Sequence, residues 1–236
     1  MTPTRSLILV LGDQLDSAAP PIVEADASQD VFVMAEVESE IRRHPNHKKR
    51  VVLFLSAMRH FRDQLRGEGF SVRYQAIDGD REVAPGLPEF LERQVNATKP
   101  DRVIVTEPGR YGLAQELEVA ATRGGAPLDV RSDPHFLCTK KEFRTWADGR
   151  KSLVMEHFYR HMRKRYGVLL NDGKPIGDRW NFDKENRQSF TDDPKAVPPP
   201  ARFPPDPVTR DVMALVEERF GDLPGNLTGF DWPVTP

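Results

Sequence analysis

Hydrophobic residues along the first 135 positions change period repeatedly. Five short β-rich runs, "LILVLG" (7–12), "DVFVMAEV" (30–37), "FSVRYQAI" (70–77), "DRVIVTE" (101–107) and "PLDVRS" (127–132), alternate with stretches at helical spacing. The first, second and fourth are nearly continuous in apolar character, as a parallel strand covered on both faces requires. Helices must then lie above and below the sheet. The pattern predicts an α/β domain over 1–136 with a doubly wound, five-stranded parallel sheet in the order 3-2-1-4-5.

The segment "KKRVVLFLSAMRHFRDQLRGEG" begins like a strand, yet Val51, Phe54, Leu55, Met58, Phe61 and Leu65 recur at steps of three and four. Arg59, Arg62, Asp63 and Arg66 fall on the other side, and Gly67 and Gly69 follow, so one long amphipathic helix is expected. Further helices are expected at 87–98 and at 113–123, the second closed by Gly124 and Gly125. Residues 137–190 read as a basic helical extension and connector, with short helices near 140–147 and 152–166. Residues 191–236 read as a linker followed by a helix at 208–220. Pro194, Pro198, Pro199, Pro200, Pro204, Pro205 and Pro207 stiffen that linker.

Composition adds bounds. The chain has 236 residues, 38% of them hydrophobic, enough for one main core and an extension. A net charge of −2 exerts no global pull toward nucleic acid or anionic membrane. The stretch 139–166 breaks that average, with nine Lys/Arg against three Asp/Glu, about six net positive charges. Cys138 is the sole cysteine, which excludes an internal disulfide and a cluster held by four thiolates of this chain, and fits a reducing compartment. The early apolar run 7–11 is too short for a signal-peptide core or a membrane span. A cytoplasmic chain without membrane contact is expected.

In an open α/β sheet, ligands bind beyond the carboxyl ends of the strands, where strand order reverses. Gly12, Asp13 and Gln14 follow the first strand, Glu36, Val37, Glu38 and Glu40 the second, and Glu107 with a Pro108-Gly109 turn the fourth. Glycine admits a ligand close to the backbone, and the acid and amide can hold a heterocycle or a polyol. Such acids also serve as helix caps and solvated loop residues. Neither a GxGxxG nor a GxxxxGK[ST] follows the first strand, and an acidic rim repels triphosphate, so a neutral, hydrogen-bonding aromatic ligand is expected. His157 and His161 stand four apart without a third ligand and read as surface histidines rather than a metal site. Ser56, Ser152 and Cys138 lack a neighbouring base, so no catalytic residue is assigned. Phe143, Trp146, Phe158 and Tyr159 within the basic stretch either contact a phosphate backbone or pack beneath a charged face.

Five ordered blocks, "LGDQL" (11–15), "HKKRVVLFLSAMRHF" (47–61), "VTEPG" (105–109), "EFRTWADGRKSLVMEHFYRHMRK" (142–164) and "RWNFDKENR" (179–187), resemble the amino-terminal region of the photolyase-related bacterial proteins, the iron–sulfur bacterial cryptochromes and (6-4) photolyases. The resemblance covers essentially the whole chain. It implies an antenna domain holding 6,7-dimethyl-8-ribityllumazine, then a connector, then a helical domain with FAD, an iron–sulfur cluster and the lesion pocket. On that resemblance the last domain is missing here, so a truncated or split form without photolyase activity of its own is expected, with a helical FAD-domain chain as a possible partner. DNA contact would then be weak or made through the missing domain. Trp180, Phe182, Phe190, Phe220, Phe230 and Trp232 are expected to be stranded apolar groups. The resemblance further implies that Gly12, Asp13, Gln14 and Glu40 hold the chromophore, with Glu36, Val37, Phe54 and Glu107 around it. Phe54 either lines the cavity or fills it. Asn46 and Asp178 depart from the family pattern, which favours histidine and glycine there. Two other readings stay open: a chromophore-free α/β interaction module using the 139–166 patch on DNA or a partner, and a small-molecule enzyme of the wider α/β nucleotide-binding class.

Overall fold

A computed structural model describes residues 4–78, 83–187 and 198–235. Five parallel strands, β1 (Ser6–Leu9), β2 (Asp30–Ala35), β3 (Ser71–Gln75), β4 (Arg102–Thr106) and β5 (Leu128–Arg131), form one sheet in the order β3-β2-β1-β4-β5. β1 lies between β2 and β4, in register Leu7↔Val31 and Leu7↔Val103. Helices α1 (Pro20–Val23), α2 (Glu38–Ile41), α3 (Lys48–Gly67), α4 (Leu87–Thr98) and α5 (Leu113–Gly124) fill the crossovers. This is the expected doubly wound α/β fold. The two-residue alternation of a strand sends Leu7, Leu9, Val33 and Val105 to a core shared with Phe90 and Leu91 of α4 and Leu117 of α5. Ile8, Phe32, Met34 and Ile104 point to the opposite core, against Met58, Phe61 and Leu65 of α3. Short α1 and α2 escaped the sequence reading because four residues carry no period.

The chain divides into two compact units, residues 1–133 with 201–236, and residues 134–200. The sequence reading set its divisions at 136 and 190. Helix α6 (Lys140–Ala147), α7 (Met155–Tyr166) and a hairpin of β6 (Leu170–Asn171) and β7 (Lys174–Pro175) belong to the smaller unit. Helix α8 (Pro207–Arg219), expected to lead away, folds back on α3 instead. The cause is apolar: Val212, Val216, Phe220, Leu227 and Phe230 pack with Val51, Val52 and Leu55 in a third core. Polar staples reinforce it. Arg42 binds Asp222, Arg219 binds Glu38, Lys48 Nζ lies 2.8 Å from Glu217, and the Lys48 amide donates to the Pro224 carbonyl. Gly225 has a φ of +84°, and a Cβ there would fall 1.9 Å from the His47 ring, so only glycine fits against the start of α3. Phe220 and Phe230 are thus buried rather than stranded. Phe182 and Trp232 are exposed and Trp180 is half-buried. Phe190 lies outside the described residues, as does Pro194 of the linker.

Candidate ligand-binding cavity

A cavity of about 250 Å³ opens at the carboxyl ends of β1, β2 and β4, beside the point where strand order reverses. Leu11, Ala35, Val37, Val51, Leu55, Met58 and Leu113 make most of its wall, and Asp13, Glu36, Glu40, Asn46, Arg50 and Arg110 are its polar members. A small apolar chamber with few polar groups is the usual form of a small-molecule site. The backbone of Gly12 reaches the wall because it carries no side chain; a Cβ there would come within 2.9 Å of Met58 Sδ.

Of the residues singled out in the sequence, Gly12, Asp13, Glu36, Val37, Glu40 and Phe54 line this cavity. Gln14 and Glu107 do not. Gln14 Nε2 donates to the carbonyls of Thr106 and Glu107 at 3.2 and 3.1 Å, so this side chain ties the loop after β1 to the end of β4. Glu107 contributes its backbone to that tie, and its amide donates to the Arg131 carbonyl. Both residues thus tie the loop after β1 to the ends of β4 and β5. Glu36 touches the cavity, but its carboxylate is committed elsewhere. It receives Arg59 Nε at 2.7 Å and Nη2 at 3.0 Å, the Tyr74 hydroxyl at 2.6 Å and the Ile77 amide at 2.9 Å. Burial and the adjacent Glu36 charge push the Tyr74 phenol well above its ordinary pKa, so Tyr74 stays a donor. Arg59, read as part of the polar side of α3, is buried for this reason.

Phe54 lines the wall and leaves the chamber open, with the Arg50 guanidinium 5.2 Å from its ring centroid. Neither Arg50 nor Arg110 was singled out in the sequence. Arg110 follows the Pro108-Gly109 turn and binds Glu116 through both terminal nitrogens, at 2.9 and 2.7 Å. Its Nη2 lies 3.6 Å from Glu40, which also meets Arg43 at 3.2 Å. The bidentate Glu116 carboxylate raises the Arg110 pKa further and fixes its charge. The acidic rim expected from the sequence is therefore a mixed one. Signals for both arginines were present: Arg50 precedes Phe54 by one helical turn, and Arg110 closes "EPGR".

The lining contains no hydroxyl, thiol, imidazole or ammonium group. Among the described residues, no group of three or more His, Cys, Asp or Glu is arranged to hold a metal ion. No helix among them is long and apolar enough to cross a membrane. The geometry suits holding a molecule by shape and a few hydrogen bonds.

The family model of deoxyribodipyrimidine photo-lyase-related proteins matches residues 8–232. The chain belongs to this photolyase-related family. A (6-4) photolyase of Agrobacterium fabrum is 43% identical over 229 residues, covering 97% of this chain and 45% of that relative. The chain thus spans about half of that protein's length. An uncharacterized protein of Acanthamoeba polyphaga mimivirus is 22% identical over 146 residues, covering 60% of this chain and 71% of its own length. The family match extends through the smaller unit and α8, so the fold-back of α8 lies within the family's own sequence pattern.

Proposed function

We propose that this photolyase-related chain is a light-harvesting module that holds 6,7-dimethyl-8-ribityllumazine in the cavity at the ends of β1, β2 and β4. The observation that carries the reading is the cavity itself, at the ligand-binding edge of the sheet, apolar over most of its wall, with Asp13, Glu36, Glu40, Asn46, Arg50 and Arg110 as its polar members. Family membership supports it. A bound ribityllumazine supplies absorption and transfer of excitation. The protein's part is to hold the ring rigidly, keep its orientation and exclude quenching water. Val37, Leu55 and Met58 provide the dry wall, Phe54 a flat face for the ring, and Asp13 and Glu40 acceptors for hydroxyl or ring N–H groups.

The acceptor of the excitation, in this reading, is an FAD-carrying helical region, on a separate chain or a longer form of this one, in light-driven DNA repair or signalling in the cytoplasm. An iron–sulfur cluster belongs to that region in this reading, because four cysteine ligands are needed and this chain has the single cysteine Cys138. Titration with the lumazine, followed by absorption and fluorescence anisotropy, tests the reading. Saturable binding lost in Asp13→Ala and Glu40→Ala is expected; absence of binding at high concentration contradicts it.

A second reading rests on the smaller unit, as a surface for DNA or a partner. Its 139–166 stretch keeps an excess of positive charge, while Glu142 is tied to Arg165 and Glu156 to Arg160. Binding to a DNA duplex that falls steeply with salt, without bound chromophore, is its mark.

A further inference from the structure

Most polar groups on the cavity wall are committed within the protein. Glu36 is held by four donors, Glu40 meets Arg43 and Arg110, and Arg110 is held by Glu116. Asn46 Nδ2 donates to the Ile41 carbonyl at 2.7 Å. Asp13 and Arg50 remain, and neither side chain forms a hydrogen bond or ion pair among the described residues. Arg50 stands out among its neighbours. Six arginines lie between residues 42 and 66, and Arg42, Arg43, Arg59, Arg62 and Arg66 each meet a carboxylate at 3.8 Å or closer. Arg50 meets none, and of the six it is the one that lines the cavity. Its guanidinium lies 5.2 Å from the centroid of the Phe54 ring, which also lines the wall. Such a ring favours one place for the cation without using its N–H groups, whose fork matches a phosphate or carboxylate. Because Arg50 is exposed, those donors are open to a ligand at the cavity mouth. The acids that would repel an anion there are largely neutralised, Glu36 by Arg59 and Glu40 by Arg43 and Arg110.

Resting on the antenna reading above, we propose that Arg50 is an anion anchor at the cavity mouth, and that it selects a fused heterocycle whose polyol chain ends in a phosphate monoester. The apolar wall takes the ring, the chain leads out to the mouth, and Arg50 donates two N–H groups to phosphate oxygens. A single phosphate is favoured over a longer phosphate chain, because the carboxylates on the same wall repel added negative charge. A chain ending in a neutral hydroxyl binds through the ring and gains little from the cation.

The test titrates the full chain with 6,7-dimethyl-8-ribityllumazine and with the phosphate monoester of its ribityl chain, read by fluorescence anisotropy. The phosphorylated compound is expected to bind the unaltered chain about tenfold more tightly, with the advantage shrinking as salt is raised. Arg50→Gln should bring the two compounds level. Lys49→Gln is the control, because Lys49 is the neighbouring cation outside the lining, and the advantage should survive it. Thermal unfolding of each variant confirms an intact fold. Equal or weaker binding of the phosphorylated compound to the unaltered chain overturns the anchor and leaves the antenna reading standing. An advantage that persists in Arg50→Gln also overturns it. So does one that Lys49→Gln removes as completely, because the general positive field at the start of α3 would then be responsible. Binding of neither compound removes the antenna reading and the anchor together.

Discussion

The two units of this chain are held together by different physics. In the larger one, strands covered on both sides create two dry cores, and α8 adds a third behind α3. Its deepest charge, Glu36, is satisfied by four donors. Among its described residues the smaller unit has no sheet of that kind. Phe143, Trp146 and Phe158 form a cluster with centroids 4.9–5.7 Å apart, and Arg160, Arg163 and Lys164 surround the Trp180 ring at 5.1–5.6 Å. Arg163 also donates to the carbonyls of Val168, Leu169 and Trp180. Twelve of the eighteen large apolar side chains exposed among the described residues lie in this smaller unit. Layered burial thus supports a rigid cavity in one unit, while long cationic side chains laid over aromatic rings organise the other.

Breaking the buried pair should produce the largest effect. Glu36→Ala leaves Arg59 buried without its bidentate partner and should cost about 3–5 kcal/mol in denaturant unfolding of the larger unit. Phe220→Ala should follow, at about 3 kcal/mol, from lost burial and a residual cavity. Val51 and Leu55 both line the ligand cavity and pack toward α8, so this variant should weaken lumazine binding as well, although Phe220 is not among the lining residues. In the smaller unit, Trp180→Ala removes the ring that three cations share. A loss of about 1–2 kcal/mol is expected, seen as faster amide exchange across 156–180 with the sheet amides unchanged.

The smallest effect concerns pH. Hydrogen bonds from Arg165 and from the Thr139 amide and hydroxyl hold the Glu142 carboxyl at about 2, below its ordinary 4.5. A folded-state pKa depressed in this way stabilises the cap of α6 fully above the ordinary value, and the contribution fades as pH falls from about 4.5 through about 2. Because Glu142 is solvent-exposed, the effect should be slight; acid titration of the α6 amides in the parent chain and in Glu142→Gln measures it.

The fold was legible because parallel strands and long helices write periods into the sequence. Residues 48–67 carry one helix whose two sides meet different partners, and its apolar spacing was visible. What that spacing did not reveal is that Val51, Val52 and Leu55 face α8 while Met58, Phe61 and Leu65 face the sheet. Contacts separated by about 160 residues leave no local signature. The same holds at the cavity. Gly12, Asp13 and Glu40 could be placed from the ends of strands, but the commitment of Glu36 depends on Arg59, Tyr74 and Ile77, which come from three other segments. Gln14 was read as a ligand group because an amide after a strand offers hydrogen bonds; in the fold, two carbonyls at the end of β4 take them.

The most direct test of the account maps amide chemical-shift changes while 6,7-dimethyl-8-ribityllumazine is added to the isotope-labelled chain. The account predicts saturable changes at Gly12, Asp13, Val37, Glu40 and Arg110, with residues 140–187 unmoved. Changes confined to residues 140–187, or none at saturating ligand, would contradict it.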